Sequence, residues 1–317
     1  MSHFSVMVVT DSKPSDDELV AIMQPWHEFE CTGTDDQYVI EVDETEESKK
    51  DFEKYGDDGE DFEKWLEGWC GRKTLTEGDS PDLSDTHKYG YTVFDAEGKF
   101  LKTVRRTNPN SKWDYWRIGG RYRAKLQVKQ GVTSALSTDP SWEFRPEFNN
   151  GREIPQGFDQ ARVGDIDREA MKQKAIKGRI EWFEECETKS GLSREDFITG
   201  IKQKKDAHDE WMKLNEKPRG GEYDKWLKSK GYHLASKASK PNWDLPDLQG
   251  MSFEDWAKSA PSLTSFALVK DGKWFARGEM GWWAVVRDEN DDWDAEFQKL
   301  FASLDDDKWI TFLDCHV

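Results

Sequence analysis

Residues 5–10 read SVMVVT and residues 309–317 read WITFLDCHV. Both runs are rich in β-branched and aromatic side chains, which suit a pleated, buried surface. The first is closed by Asp11-Ser12-Lys13-Pro14, a turn followed by a helix start, so Ser5–Thr10 is predicted to be a buried strand. Trp309–Val317 is predicted to be the closing strand. Between them lie long stretches with apolar residues at three- and four-residue steps, the helical period. Strands at both ends around a helical middle predict an α+β fold: a mixed or antiparallel sheet built from both chain ends, with a helical insertion.

Outward from the first strand, Glu44 to Cys70 carries Phe52, Tyr55, Phe62, Trp65, Leu66 and Trp69 at helical steps, broken at Gly56-Asp57-Asp58-Gly59. Two short amphipathic helices with acidic outer faces are expected. Gly71 to Asp85 reads as a loop. Tyr89–Phe94 and Lys99–Arg105 flank Asp95-Ala96-Glu97-Gly98, the turn signal of a β-hairpin. A turn at Asn108-Pro109-Asn110 and a break at Gly119-Gly120 lead to a strand expected near Tyr122–Lys129. Residues 132–160 show no period. Long helices are expected from Asp165, the second started by the Ser193 and Asp196 capping pattern, with a third short helix at Tyr223–Lys228. Ser239–Pro246 reads as a linker, Ser265–Val269 with Trp274–Arg277 as a hairpin, Trp282–Arg287 as strand-like and Trp293–Leu304 as a helix. The expected organisation is 1–160, an α+β region with acidic helices and a basic hairpin; 161–235, the helical insertion; and 236–317, an α+β region completing the sheet.

Sixteen Trp and seventeen Phe give a chain that is 35% hydrophobic enough apolar area for a core. No run approaches the roughly 18–20 apolar residues of a membrane helix, and the start lacks the basic region of a secretory signal. Cys31, Cys70, Cys186 and Cys315 form no CxxC pair, which speaks against a zinc ribbon or disulfide framework and for a reducing cytoplasm. The net charge of -18 is unevenly spread. Residues 1–100 hold 27 acidic against 9 basic residues, whereas residues 101–131 hold 9 basic residues against one acid, Asp114. A short basic island sits in an acidic protein.

MSHFSVMVV at the start, NPNSKWDYWRIGGRY at 108–122, RVGDID at 162–167, GEMGWW at 278–283 and FLDCHV at the end together resemble a family of proteins encoded by tailed bacteriophages. The resemblance implies a viral protein made in a host bacterial cytoplasm, and it implies no reaction.

The basic island supplies the first set of candidates: Arg105, Arg106, Lys112, Trp113, Trp116, Arg117 and Arg121. Arginine and lysine grip phosphate, while Trp113, Tyr115 and Trp116 would stack on a base or a guanidinium. The opposing expectation is that the aromatics pack in the core, Asp114 pairs with an arginine, and the bases balance the acidic first hundred residues. A second set lies at the chain ends. Neighbours on a strand point to opposite faces, so Cys315 and His316 make no dyad, but Asp314 and His316 share a face. His3, on a strand that would pair with the last one, would join them in a metal or acid–base site; the plainer outcome is a strand end with a buried cysteine and a surface histidine. Glu279, in a tight turn beside Trp282 and Trp283, is either a carboxyl whose pKa would rise for acid catalysis or, the plainer outcome, part of a structural bend. Gly119-Gly120 has neither the GxGxxG nor the Walker pattern, and no cofactor is expected.

Two functions follow. One is a phage accessory protein that binds and inhibits or redirects a host protein, in counter-defence; the acidic helices around residues 43–67 would mimic DNA phosphates or, the plainer outcome, present a solvated face. The other is a nucleotide- or nucleic-acid-binding protein or enzyme using segment 105–123. Neither involves a membrane.

Overall fold

Six consecutive residues of the first strand, Phe4 to Val9, are buried, because both faces of that strand are covered. The computed structural model describes residues 2–57, 61–137, 156–214, 222–238, 246–248, 250–281 and 285–317. The chain divides into two units: one of residues 1–126, 130–165 and 265–317, the other of residues 127–129 and 166–264.

The first unit carries twelve strands among its described residues. In chain order they are β1 (His3–Thr10), β2 (Ile40–Asp43), β3 (Lys73–Thr76), β4 (Gly90–Phe94), β5 (Phe100–Thr107), β6 (Tyr115–Ile118), β7 (Gln160–Arg162), β8 (Ala267–Lys270), β9 (Lys273–Ala276), β10 (Glu279–Met280), β11 (Val286–Arg287) and β12 (Trp309–His316). The central sheet has the order β6-β12-β1-β8-β9, with β7 also on β12. Both chain ends therefore sit at its heart: β1 runs antiparallel to β12 over all eight residues and parallel to β8. The fold is α+β with a mixed sheet.

Helix α1 (Asp16–Met23) starts where the sequence places a start, with Ser15 and Glu18 in a reciprocal capping box. It lays Leu19 and Met23 against Phe4, Val6, Val8, Leu313 and Cys315. Each such fully buried side chain contributes about 1.5–3 kcal/mol. The opposite face of the sheet carries Met7, Ile310 and Phe312, also wholly buried.

The second sheet, β2-β5-β4-β3, buries Leu75, Tyr91, Val93 and Val104. After the short α2 (Phe29–Thr32), the two acidic helices are α3 (Thr45–Tyr55) and α4 (Phe62–Cys70). Phe52, Phe62, Trp65 and Phe100 hold ring contacts beneath them. Two expectations are corrected here. The loop expected over Gly71–Asp85 contains β3, a strand parallel to β4. The strand expected over Tyr122–Lys129 is instead a tight turn at Gly120–Tyr122 followed by isolated bridges such as Leu126 to Phe158. Positive φ at Gly119, Gly120 and Ala124 prevents an extended ladder.

The second unit is helical: α5 (Arg168–Ser190), α6 (Arg194–Met212), α7 (Glu222–Ser229), α8 (His233–Ala238) and α9 (Phe253–Lys258). Ser193 and Ser252 cap α6 and α9, and Phe183, Phe197, Ile201, Leu248 and Trp256 form the core. This unit extends past residue 235 to Thr264. The linker Ser239–Pro246, except Pro246, and Trp282 to Ala284 of the strand-like run lie outside the described residues. The last helix of the first unit, α10 (Trp293–Ala302), buries Trp293, Phe297 and Phe301, and the Trp293 indole donates to Ser265 O at 2.7 Å. Among the described residues no helix is long and apolar enough to cross a membrane.

Candidate functional site

Register decides which side chains meet at the end of the central sheet. His3 lies opposite His316, while His316 lies opposite Tyr115 and Asp314 opposite Arg117. Because strand side chains alternate, these residues share one face, and Phe4, Leu313, Cys315, Trp116 and Ile118 share the other, where they join the core. Backbone bonds between Ser2 and Val317 extend the pairing to the last residue.

On the polar face two histidine–carboxylate pairs stand side by side. His3 Nδ1 donates to Asp314 Oδ1 at 2.8 Å, and His316 Nδ1 meets both oxygens of Asp114 at 2.7 Å. The imidazole centroids are 4.9 Å apart and nearly perpendicular, and the Tyr115 ring stacks on His316 at 4.6 Å. Asp314 is fully buried; its second oxygen accepts the Arg121 backbone N–H at 2.9 Å and lies 3.8 Å from Arg117 Nε. Tyr122 donates to the His3 carbonyl at 2.8 Å. The Gly119-Gly120 break has a reason in this geometry. At φ +52° Gly120 passes so close to Asp314 that a Cβ there would lie 2.4 Å from the carboxylate.

With each Nδ1 on a carboxylate, Nε2 is the ring nitrogen left to each histidine for a second partner. His3 Nε2 is hydrogen-bonded to the Tyr115 hydroxyl at 3.4 Å, and His316, its side chain 7% exposed, has no hydrogen-bond partner at Nε2 among the described residues. Two other buried histidines differ from His316 and resemble His3. His27 meets Thr32 and Asp36, and His87 meets Asp82 N–H and Thr74 O, so both ring nitrogens of each are used by the fold.

The seven candidates of the basic island are spread over several places. Arg105 pairs with Glu44 at 2.6 Å. Arg106 is buried, bonds both oxygens of Asp35 at 2.7 and 2.8 Å, donates to Lys88 O and lies over the Phe29 ring. Lys112 pairs with Glu279 at 2.9 Å. Trp113 is buried with its indole on Met23 O, and Trp116 packs on the core. A cavity of about 250 Å³ lined by Phe4, Glu28, Lys112 and Trp274 contains only Lys112 of the seven. Of the seven, Arg117 by its side chain and Arg121 by its backbone N–H reach the chain-end set His3, Asp314 and His316. Asp114 pairs with His316, where an arginine was expected.

The neighbouring titratable groups bound the chemistry. Burial, then the charges of Asp314 and Asp114, push the Cys315 thiol far up, so it is no thiolate nucleophile. Partial desolvation, then the neighbouring Glu28, push the thiol of the exposed Cys31 up to about 11. Glu28 itself is raised, chiefly by burial, and feels Asp114 and His316. Glu279 is held below its ordinary range by its hydrogen bond from Lys112, against the reading of it as a raised carboxyl. Among the described residues no three His, Cys, Asp or Glu side chains converge as metal ligands. What the arrangement offers is two adjacent imidazoles, each oriented by a carboxylate. Sequence reasoning missed Asp114 as the second carboxylate; the odd signal was a lone acid in a run of nine bases.

Compared with protein-family models, curated proteins and solved structures, the chain matches none.

Proposed function

We propose that the protein is an acid–base enzyme whose centre is the His3–Asp314 and His316–Asp114 pair of dyads. One observation carries this: two neighbouring imidazoles have their Nδ1 atoms fixed on carboxylates, and the Nε2 of His316 has no hydrogen-bond partner among the described residues, in contrast to His27 and His87, whose ring nitrogens are all bonded. Segment 105–123 takes part through Asp114, Tyr115, Arg117 and Arg121 and not through its tryptophans. The resemblance to tailed-phage proteins sets this activity in an infected bacterial cell, where it would act against the host or its defences. The test is turnover of simple chromogenic carboxyl esters and phosphodiesters. The expected result is a bell-shaped pH profile, and a loss of about 100-fold or more in His3→Asn and in His316→Asn, with melting temperatures near that of the unaltered protein. A folded protein that turns over none of them rules the reading out.

A second reading has its own support. Glu46, Glu47 and Asp51 of α3, with Lys50 and the half-exposed Leu101, line an open concavity whose acidic side chains face solvent. We infer that this face is where a basic host protein would be bound and inhibited or redirected. Capture of one host protein at stoichiometric level during infection, lost on Glu46→Lys with Glu47→Lys, supports it; capture unaffected by the reversal sinks it.

A further inference from the structure

We propose that the cavity walled by Phe4, Phe266 and Trp274 and bounded by Glu28 binds one alkylated ammonium group, of the kind carried by choline or by a trimethylated lysine side chain. None of the paired-dyad residues lines this cavity, and the inference does not rest on the acid–base reading.

Three observations lead there. First, Glu28 is a partly buried carboxylate without a counter-charge. Other sheltered carboxylates of the same unit each meet a base: Glu44 holds Arg72 and Arg105, Asp36 meets His27, and Asp314 meets His3. Glu28 pairs with no lysine, arginine or histidine among the described residues; its side-chain partner is the Cys31 thiol, a weak donor. Burial holds its carboxyl above the ordinary range, a rise to which Glu30 and Asp114 add and which Cys31 and His316 offset in part. A cation lodged beside Glu28 would supply the missing partner.

Second, the walls are aromatic. Phe4 is inclined at 63° to Phe266 and at 72° to Trp274, with ring centroids 5.3 and 6.4 Å away. Rings set at such angles border a space from several sides, and the electron-rich faces of aromatic rings attract a cation. Met280 adds a polarizable sulfur to the lining.

Third, size and the supply of acceptors select the kind of cation. At about 250 Å³ the cavity is smaller than the roughly 300–1,000 Å³ of sites for drug-sized ligands, so it takes one head group and no nucleotide. Lys112 and Glu279 pair at 2.9 Å on its border, which cancels the lysine charge and commits the glutamate. Glu28 and the Ser111 hydroxyl are then the side-chain acceptors of the lining. A hard metal ion asks for about six or more oxygen ligands, and a guanidinium brings a whole fork of donors; the lining has too few acceptors for either. A quaternary ammonium has no N–H to satisfy and needs only negative charge and ring faces.

The experiment is calorimetric titration of the full chain with choline, with its neutral isostere in which a tert-butyl group replaces the trimethylammonium, and with unmethylated ethanolamine. The expected result is saturable binding of one choline, about 10-fold or more tighter than either analogue, and weakened by about 10-fold in Glu28→Gln and in Trp274→Leu, each checked by circular dichroism for folding. A short peptide bearing one trimethyllysine is titrated alongside: tighter binding than choline assigns the head group to a modified side chain, weaker binding assigns it to a free amine, and both support the proposal. Absence of saturable binding of choline and of the peptide overturns it. So does equal affinity for the neutral isostere or for ethanolamine, or undiminished binding in both folded variants.

Discussion

The upstream and downstream halves of the basic run differ in what their charges do. On β5, Arg105 and Arg106 each meet a carboxylate within the same unit, Glu44 and Asp35. Around β6, Arg117 and the Arg121 backbone meet an aspartate that already holds His3. In the first half, cationic charge is consumed in joining elements; in the second, it borders a network in which the His316 Nε2 has no partner among the described residues. A cluster of bases read along the chain is thus two features in space. The difference lies in where their partners come from.

Four changes would break or sharpen that contrast. Arg106→Ala should have the largest effect, about 3 kcal/mol of lost stability, because it strips a buried guanidinium from Asp35 and Lys88 O. Urea unfolding measures it, and a loss under about 1 kcal/mol would place Arg106 with the surface pairs instead. Gly120→Ala should cost about 2 kcal/mol, from left-handed backbone and from the clash with Asp314. It should also depress turnover, since Asp314 orients His3; a folded variant with unchanged turnover would separate that carboxylate from the chemistry. Lys112→Ala should cost about 0.5 kcal/mol at low salt and less at high salt, as expected for a half-exposed pair with Glu279. Arg121→Ala should change stability by no more than about 0.5 kcal/mol, because the N–H that meets Asp314 is retained.

A pH effect from Glu28 is weaker still. Its carboxyl is raised in the fold by burial, so its contribution is full below the ordinary carboxylate range and is lost as pH rises through the raised value. Urea midpoints of Glu28→Gln against the unaltered protein across about pH 4 to 7 should show a shallower decline with rising pH in the variant.

The parts of the fold that were legible in the sequence are those with dense apolar signals. SVMVVT and WITFLDCHV read as strands because β-branched and aromatic residues crowd them, and α3 and α4 show the helical period. The strands β2 and β3, IEVD and KTLT, are mostly exposed and four residues long, so no alternation marks them. At the site, the shared face of Asp314 and His316 follows from strand alternation alone. That His3 stands opposite His316 depends on register between residues more than 300 positions apart, and no local pattern fixes it. The pairing of Asp114 with His316 depends on β6 joining the same edge, and the aromatic run that contains it carries no sign of its neighbour.

The closure of β1 on β12 also shapes how the chain is born. Both hydrogen-bonding partners of β1 are translated late: β8 begins at Ala267 and β12 at Trp309. At about 5–20 residues per second, the Val6–Val9 segment waits roughly 15–60 s on the ribosome before its sheet can form. An apolar, charge-free strand left open that long is a natural client for nascent-chain chaperones. Synthesis speed, as much as equilibrium stability, would then set how much of this protein reaches its folded state in the cell.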